Sequence, residues 1–347
     1  MKEKFSCSLN GNMWWKPYIC MLLFNIFFQF IMQRSESYLE LAISMNDIIR
    51  DLLLMLASLV LMLIVQSALM VALVKIALSA ISLSGIPFRF TGTIGKAIET
   101  YTLGIIFVII TFGIYTPWYI RRVTAFWVDN TEFDGERPVF LGRGGSLFKY
   151  ILLFGFIPIF VCAFLGGLLS LYSEIVMYVV IIGAVILIAA VLSYFYIVWM
   201  FNIEWRGIRI KCDAVAGPAV NFLLGQIVLC VITIGIYIPA MMGKVYRYFA
   251  SCIVLEKDGR EYGRGRLDCD TWQVFKFLWK TMLLMIVTLG IYTPWAYANI
   301  LRYFLNNLYI ETGTPLIGAE EKLLTADISQ EENRGNPEGS GREENQE

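Results

Sequence analysis

The sequence predicts an α-helical integral membrane protein of about seven spans, built from repeated units of helix, exit motif and β-hairpin. Composition is the first reason: the 347 residues are 58% hydrophobic, only 16% are charged, and the formal net charge is zero. Soluble domains have about 25% charged residues, so this balance favours a bilayer. Long uncharged runs and a phrase that occurs three times are the second and third reasons.

Seven uncharged runs are candidate spans, because a helix needs about 20 apolar residues to cross the hydrocarbon. They lie between Lys16 and Arg34, Asp51 and Lys75, Glu99 and Arg121, Lys149 and Glu174, Glu174 and Glu204, Asp213 and Lys244, and Lys280 and Arg302. The first run is the shortest and could be a signal-peptide core, but no small-residue cleavage site follows it. We therefore interpret it as a span.

The repeated phrase ends three of these runs. It reads "TFGIYTPW" from Thr111 to Trp118, "TIGIYIPA" from Thr233 to Ala240, and "TLGIYTPW" from Thr288 to Trp295. Glycine loosens a helix, and proline has no N–H to continue one but suits the first turn of the next. The phrase therefore predicts the end of a span and a change of direction. Its defining residues are Gly113, Tyr115, Pro117, Trp118, Gly235, Tyr237, Pro239, Gly290, Tyr292, Pro294 and Trp295.

A short basic helix is expected after each phrase, lying along the membrane interface. Tyr and Trp prefer that boundary, and long basic side chains reach from it to the headgroups. The interfacial basic residues are Arg121, Arg122, Lys244, Arg247 and Arg302. Helices interrupted by Gly and Pro also build substrate sites in secondary transporters. The phrase stands at the end of each apolar run, which favours the anchor over the substrate site.

A β-hairpin is predicted after each short helix. The segments "VDNTEFDGERPVF" and "CIVLEKDGREY" contain Asp-Gly, which supplies the positive φ of a tight turn, and the turn glycines are Gly135, Gly259 and Gly313. Two further copies, around Gly85 and Gly207, keep only the hairpin half of the unit. Self-similarity of this kind indicates a repeated structural unit.

The topology has two solutions. If every span crosses fully, the hairpins around Gly85 and Gly259 lie on one face and those around Gly135, Gly207 and Gly313 on the other. All these loops carry basic residues, and the positive-inside rule would place all of them in the cytoplasm. We expect full crossing; the alternative is a re-entrant exit segment that keeps successive hairpins on one face.

Three regions follow from these patterns: N-terminal spans over 1–80, a repeated membrane domain over 81–318, and an acidic tail over 319–347. The tail is polar, with few large apolar residues, which is typical of disorder. It is interpreted as a solubilising tail, with a docking peptide as the alternative.

The sequence contains no residue set typical of catalysis. It has no histidine, which removes the commonest metal ligand and general base, and its seven cysteines form no CxxC pair. We therefore predict no enzyme activity, no catalytic residues, no metal site and no cofactor. Asn221 and Gln226 are a candidate intramembrane polar site, although amides in spans more often bridge helices. Neighbouring acids balance the basic loops, which argues against nucleic acid as a partner.

The repeated Thr-Leu-Gly-Ile-Tyr-x-Pro-Trp, the Arg-Tyr and Asn that follow it, and the Asp-Gly-x4-Phe-x-Gly hairpin resemble the bacterial YjgN family. These are polytopic inner-membrane proteins of unknown function. The resemblance covers about Ile81 to Gly318; Ala240 replaces the expected Trp, and the tail lies outside the pattern. It implies a multi-pass protein of the bacterial cytoplasmic membrane, with membrane lipids as partners, and no activity.

Two functions remain open at this point. One is a transporter or channel for a small solute, which the broken helices favour. The other is a non-transporting membrane scaffold that binds protein partners or lipid through its hairpins and tail.

Overall fold

The computed structural model describes residues 1–40, 44–171 and 173–313, and it folds them as helix pairs attached to short strands. The helices are α1 (Gly11–Glu40), α2 (Met45–Ser79), α3 (Ile94–Ile110), α4 (Thr116–Asp129), α5 (Gly144–Ile151), α6 (Ile157–Ser170), α7 (Glu174–Met200), α8 (Ala216–Ile232), α9 (Ile238–Cys252), α10 (Thr271–Val287) and α11 (Thr293–Asn306). One π-helical turn, Leu152–Phe156, joins α5 to α6. Five pairs result: α1/α2, α3/α4, α5–α6/α7, α8/α9 and α10/α11.

Strands stand before and after every helix pair. They are β1 (Lys2–Cys7), β2 (Ile81–Leu83), β3 (Ile86–Pro87), β4 (Arg89–Phe90), β5 (Thr131–Glu132), β6 (Val139–Phe140), β7 (Ile203–Trp205), β8 (Ile208–Cys212), β9 (Ile253–Lys257), β10 (Arg260–Leu267) and β11 (Leu308–Thr312). One nine-stranded sheet has the order β3-β2-β1-β11-β10-β9-β8-β7-β6, and a second sheet pairs β4 with β5. All pairings within the nine-stranded sheet are antiparallel.

The strands close into a ring. β4 continues the chain directly from β3 at one end of the large sheet, and β5 leads to β6 at the other end through the bridge between Phe133 and Glu136. The β4–β5 pair therefore joins the two ends. Arg206 also links two neighbouring turns, donating from Nη1 to Asp134 Oδ2 at 2.6 Å.

The predicted β-hairpins at Gly85, Gly135, Gly207 and Gly259 are present. In each turn both central residues have positive φ, from 49° to 51° at the first position and 71° to 90° at the glycine. This is the conformation of a type I′ turn, whose twist matches the flanking strands. Gly313 was expected to mark a fifth turn, and the residues that follow it lie outside the described part of the chain; β11, which precedes it, pairs with β1 on one edge and with β10 on the other.

The inside of the strand ring is filled by a cluster of buried, largely apolar side chains, which we call the ring cluster. Its buried members are Leu83, Phe133, Trp205, Ile208 and Leu255, and Ile310 packs against them. Each of the five helix pairs is followed by a strand segment that contributes at least one of these residues. The Phe133 ring centroid lies 5.2 Å from that of Trp205.

The helices form a second closed ring. Each contacts the next along the chain, and α11 returns to contact α1. Glycines permit the close approach: a Cβ on Gly11 would lie 2.3 Å from Trp295 Cδ1, and one on Gly144 would lie 2.7 Å from Trp118 Cδ1. Trp118 and Trp295, expected at the membrane boundary, thus pack against the first residue of the next helix pair around the ring.

Four stretches in the described residues are long and apolar enough to cross a membrane: Gly11–Arg34, Met45–Ser79, Gly144–Ser170 and Glu174–Met200. The prediction of about seven spans is not confirmed. The runs from 99 to 121, 213 to 244 and 280 to 302 are each folded as two helices joined by the repeated phrase. Their first helices, α3, α8 and α10, have only 17 residues each.

Full crossing, which would put successive hairpins on opposite faces, is wrong. The hairpins at Gly85, Gly207 and Gly259 are strands of one sheet, and Gly135 lies in the turn that joins this sheet to β5. One continuous ring cannot lie on both faces of a bilayer. Each helix pair therefore leaves the ring and returns to it.

Candidate functional site

The three copies of the phrase form the turns at the ends of the short helix pairs, and we call them apical turns: Thr111–Pro117, Thr233–Pro239 and Thr288–Pro294. In the first, Phe112 and Gly113 have φ of 49° and 87°, and the Gly113 N–H donates to the Val108 carbonyl at 2.8 Å. This six-to-one bond is the Schellman ending of a helix. The equivalent bonds in the other two turns are also 2.8 Å long.

The threonine that opens the phrase supports the turn with its hydroxyl. Thr288 Oγ1 accepts the Tyr292 N–H at 3.1 Å and donates to the Leu284 carbonyl at 2.7 Å. Thr111 and Thr233 make the same two bonds in their own turns. Sequence reasoning assigned roles to Gly, Tyr and Pro and missed this one, although Thr opens all three copies.

Every backbone N–H of the apical turns has an acceptor. In the third turn, the N–H groups of residues 288 to 291 and 293 donate to carbonyls, the N–H of Tyr292 donates to the Thr288 hydroxyl, and Pro294 has none to satisfy. The first and second turns have the same complete set. Unpaired backbone donors cost several kcal/mol in hydrocarbon. The phrase therefore makes an irregular turn that can be held away from water.

The tip of each apical turn is a large apolar side chain in an unusual backbone conformation. Phe112, Ile234 and Leu289 are 97%, 92% and 92% exposed, and all three have positive φ. Left-handed backbone costs a non-glycine residue roughly 1–2 kcal/mol. The sequence thus keeps a strained position apolar at the most exposed point of each helix pair.

The three tyrosines of the phrase do not converge on one site. The Tyr115 ring centroid lies 5.3 Å from that of Phe107, the Tyr237 hydroxyl bonds to Gln226 Oε1 at 2.8 Å, and the Tyr292 hydroxyl accepts from Asn299 Nδ2 at 3.1 Å. Each contact stays within its own helix pair. The alternative of a substrate site shared by the three phrases thus receives no support from the geometry.

The polar site of Asn221 and Gln226 stays a prediction, and the structure places its two amides in different environments. Gln226 is buried at 9% exposure and bridges α8 to the start of α9 through Tyr237. Asn221 is exposed. The two amides therefore act apart, and Gln226 has the helix-bridging role usual for such groups.

The predicted interfacial basic residues lie in different surroundings. Arg121 Nε donates to the Gly142 carbonyl at 3.3 Å, and Arg302 Nη2 donates to Asn299 Oδ1 at 2.7 Å. Lys244 and Arg247 come together at one cavity on α9. Arg122 lines a smaller cavity between α3 and α4.

An apolar cavity of about 390 Å³ lies beside the ring cluster, and we call it the inner cavity. Its walls come from α7, α9 and α11, for example Met200, Val245 and Phe304. Around the helix ring these three helices are separated by α8 and α10, so the cavity lies on the inner side of that ring. Ile253 lines the cavity and also packs against the ring cluster.

No group of three or more His, Cys, Asp or Glu side chains in the described residues could hold a metal ion. The thiol of Cys212, on β8, is buried, and burial raises its pKa to about 11. This is the environment of a structural cysteine, since the thiolate is the reactive form.

Long apolar helices, a single ring of strands and hydrogen-bonded apical turns are together the features of a mostly helical membrane protein. The family model of a bacterial protein of unknown function, DUF898, matches residues 85–281, which is more than half of the chain. The chain belongs to this bacterial family, which is the YjgN-like family that the motifs resemble. No curated protein and no solved structure matches the chain.

Proposed function

We propose that the protein is a channel or carrier for a small solute in the bacterial cytoplasmic membrane, with the centre of the ring as its pathway. The single observation that carries this proposal is the inner cavity. It lies inside a closed ring of helices and directly next to the ring cluster. Apolar constrictions next to a wider cavity are a recognised form of gate.

The placement of the short helix pairs supports the same proposal. A helix of 17 residues is about 26 Å long, and α3 carries Lys96 and Glu99 in its first two turns. Its apolar part is then shorter than the roughly 30 Å of hydrocarbon, so the apical turn ends inside the bilayer. Helical segments that turn back within the bilayer are a feature of channels and transporters, and the satisfied backbone donors of the apical turns permit such a depth.

Charge distribution supports a cytoplasmic location of the strand ring. Two connections between long helices lie away from the ring. The one between α1 and α2 is flanked by Arg34 and Arg50, and the one between α6 and α7 is next to Glu174 and contains no Lys or Arg. Twelve other basic residues lie in strands of the ring or in the turns and loops next to them, for example Lys2, Arg206 and Arg264. With all hairpins on one face, the positive-inside rule is satisfied.

The solute that fits the inner cavity is small and uncharged. Its lining is apolar apart from the phenol of Tyr246, and an ion would lose its hydration there without compensating groups. A non-transporting scaffold is the second candidate, and the packed ring cluster favours it, because that cluster leaves the ring closed.

Flux through proteoliposomes tests the proposal, with glycerol as the solute and stopped-flow light scattering as the readout. Wild-type protein should accelerate glycerol entry, and Val245→Trp should abolish the acceleration by filling the inner cavity. Val231→Trp is the matched control, because Val231 lies 53% exposed on α8. Leu255→Ala should increase the flux by loosening the ring cluster. No flux above empty liposomes from either wild type or Leu255→Ala would favour the scaffold.

A further inference from the structure

A second cavity, of about 550 Å³, shares one lining residue, Leu267, with the inner cavity, and we call it the basic cavity. It is bounded by α8, α9, the end of β10, the start of α10 and β11. Its cationic side chains are Lys244, Arg247 and Arg266, its one acidic side chain is Asp268, and hydroxyls come from Tyr248, Ser251, Thr271 and Tyr309. The lining is therefore rich in cations and hydrogen-bond donors.

The cations are held in place by neighbouring groups. Arg247 donates a hydrogen bond to Thr271 Oγ1, which lies in the first turn of α10. Lys244 Nζ lies 5.4 Å from the centre of the Tyr237 ring, and Lys2 Nζ lies 4.7 Å from the centre of the Tyr309 ring at another wall. Arg266 pairs with Glu311 at 3.4 Å, and both side chains are about half exposed. A surface pair of this kind is worth little, so Arg266 can turn toward an anion.

The Thr271 end of the cavity is at the level expected for lipid headgroups, and its Lys244 end extends toward the apical turn at Tyr237. Trp272, in the first turn of α10 next to Thr271, is 59% exposed, and Lys276 Nζ lies 5.0 Å from its ring centre. Exposed Trp with adjacent Lys is typical of the membrane–water boundary. Phe222 also lines the cavity, and its ring stacks on that of Tyr248 at 4.6 Å between centroids.

The second helix pair provides an internal comparison. Its cavity of about 250 Å³, between α3 and α4, contains the cations Lys96 and Arg122 and the carboxylates Glu99 and Asp129. Burial raises the pKa of the Asp129 carboxyl, while a hydrogen bond from the Phe140 N–H opposes this shift. Among the lining residues, two cations meet two acids there, whereas three cations meet one acid in the basic cavity, with Glu311 pairing with Arg266 from outside the lining.

We propose that the basic cavity binds a phosphate ester, held by Lys244, Arg247 and Arg266. The chemistry is that of Arg and Lys donors around phosphate oxygens. At this boundary the source is the headgroup of an anionic lipid, since basic pockets between helices on the cytoplasmic side recognise such headgroups. A soluble phosphate compound would use the same contacts.

Native mass spectrometry of the purified full chain tests the site, with phosphatidylglycerol and phosphatidylcholine added in turn. Wild-type protein should retain phosphatidylglycerol in preference to phosphatidylcholine. Each cation near an anionic headgroup contributes about a five-fold preference, so Lys244→Gln should lose about five-fold and Lys244→Gln with Arg247→Gln about 25-fold. Arg122→Gln, in the balanced cavity, should change the preference by less than about two-fold.

Pyrophosphate separates the two sources. Retention of phosphatidylglycerol without measurable pyrophosphate binding assigns the site to a headgroup. Pyrophosphate binding that Lys244→Gln abolishes, with no preference for phosphatidylglycerol over phosphatidylcholine, assigns it to a soluble phosphate compound. Each variant must elute as a single species in size-exclusion chromatography and have the same melting temperature as wild type. If Arg247→Gln unfolds the protein, the single variant Lys244→Gln still tests the site. Equal lipid retention by wild type and Lys244→Gln, with no pyrophosphate binding, would overturn the proposal. The glycerol flux assay is independent of this result.

Discussion

Thr288→Val removes one hydroxyl from the third apical turn and nearly preserves the shape of the side chain. Thr288 Oγ1 is the acceptor for the Tyr292 N–H at 3.1 Å. The Leu284 carbonyl, to which the hydroxyl donates, keeps a partner because it also accepts the Thr288 N–H at 3.0 Å. The substitution therefore leaves a single orphan, the Tyr292 N–H.

The size of the effect depends on whether water reaches that N–H. In water the orphan would rebind solvent, and the net loss would be about 1 kcal/mol or less. Inside the bilayer no solvent replaces the hydroxyl, and an unsatisfied donor costs about 2–3 kcal/mol. We expect the larger value, because the apical turn is proposed to end within the hydrocarbon.

The free energy of unfolding of wild type and Thr288→Val, measured in bicelles by steric trapping, distinguishes the smaller loss from the larger one. Thr288→Ser is the control, since it keeps the acceptor and should stay within about 0.5 kcal/mol of wild type, within the ordinary range of a surface change. Thr111→Val and Thr233→Val repeat the experiment in the other two turns. A loss below about 1 kcal/mol for Thr288→Val would show that water reaches the turn and would refute its placement in the bilayer.

Two further predictions concern topology and the helix-bridging amide. Cysteines are introduced at Asp134 and Asp258 in a Cys-depleted background and labelled with a membrane-impermeant maleimide. Both should be labelled from the same, cytoplasmic face, because both lie in turns of one strand ring. Labelling from opposite faces would contradict the ring. Tyr237→Phe should lower the free energy of unfolding by about 1–3 kcal/mol, because it leaves the buried Gln226 amide without its 2.8 Å partner. Tyr115→Phe is the matched control and should be near neutral; equal losses for both tyrosines would argue against the role of Gln226.

The local structure of the apical turns was predictable from residue chemistry. Helices end at Ile110, Ile232 and Val287, immediately before the phrase, and new helices begin with proline in their first turn. Glycine and proline specify such a break wherever they occur together.

The direction of the chain after the break was not predictable. It depends on the threonine hydroxyl, on two successive residues with positive φ, and on packing between the helices. A Cβ on Gly104 would lie 2.1 Å from Tyr119 Cδ2, so this glycine lets α4 fold back along α3. The hydrophobic runs in the sequence do not reveal this contact between Gly104 and Tyr119. Full crossing was therefore the expected topology, and it is wrong.

The strand β1 was missed for a similar reason. Its six residues, "KEKFSC", have no turn signal that joins them to a partner. Its partners, β2 and β11, lie beyond a helix pair and at the far end of the described chain. The acidic tail predicted from residue 319 lies outside the described residues.

The pairing of β1 with β11 has a consequence for biosynthesis. The Cys7 N–H donates to Asn306 Oδ1 at 2.7 Å, across a separation of 299 residues. During translation β1 can pair with β2 once the first helix pair has been inserted, but its other edge stays open until β11 emerges from the ribosome. A stalled or truncated chain therefore presents an unpaired edge at β1 and another at β10, and open edges of this kind template pairing with other chains.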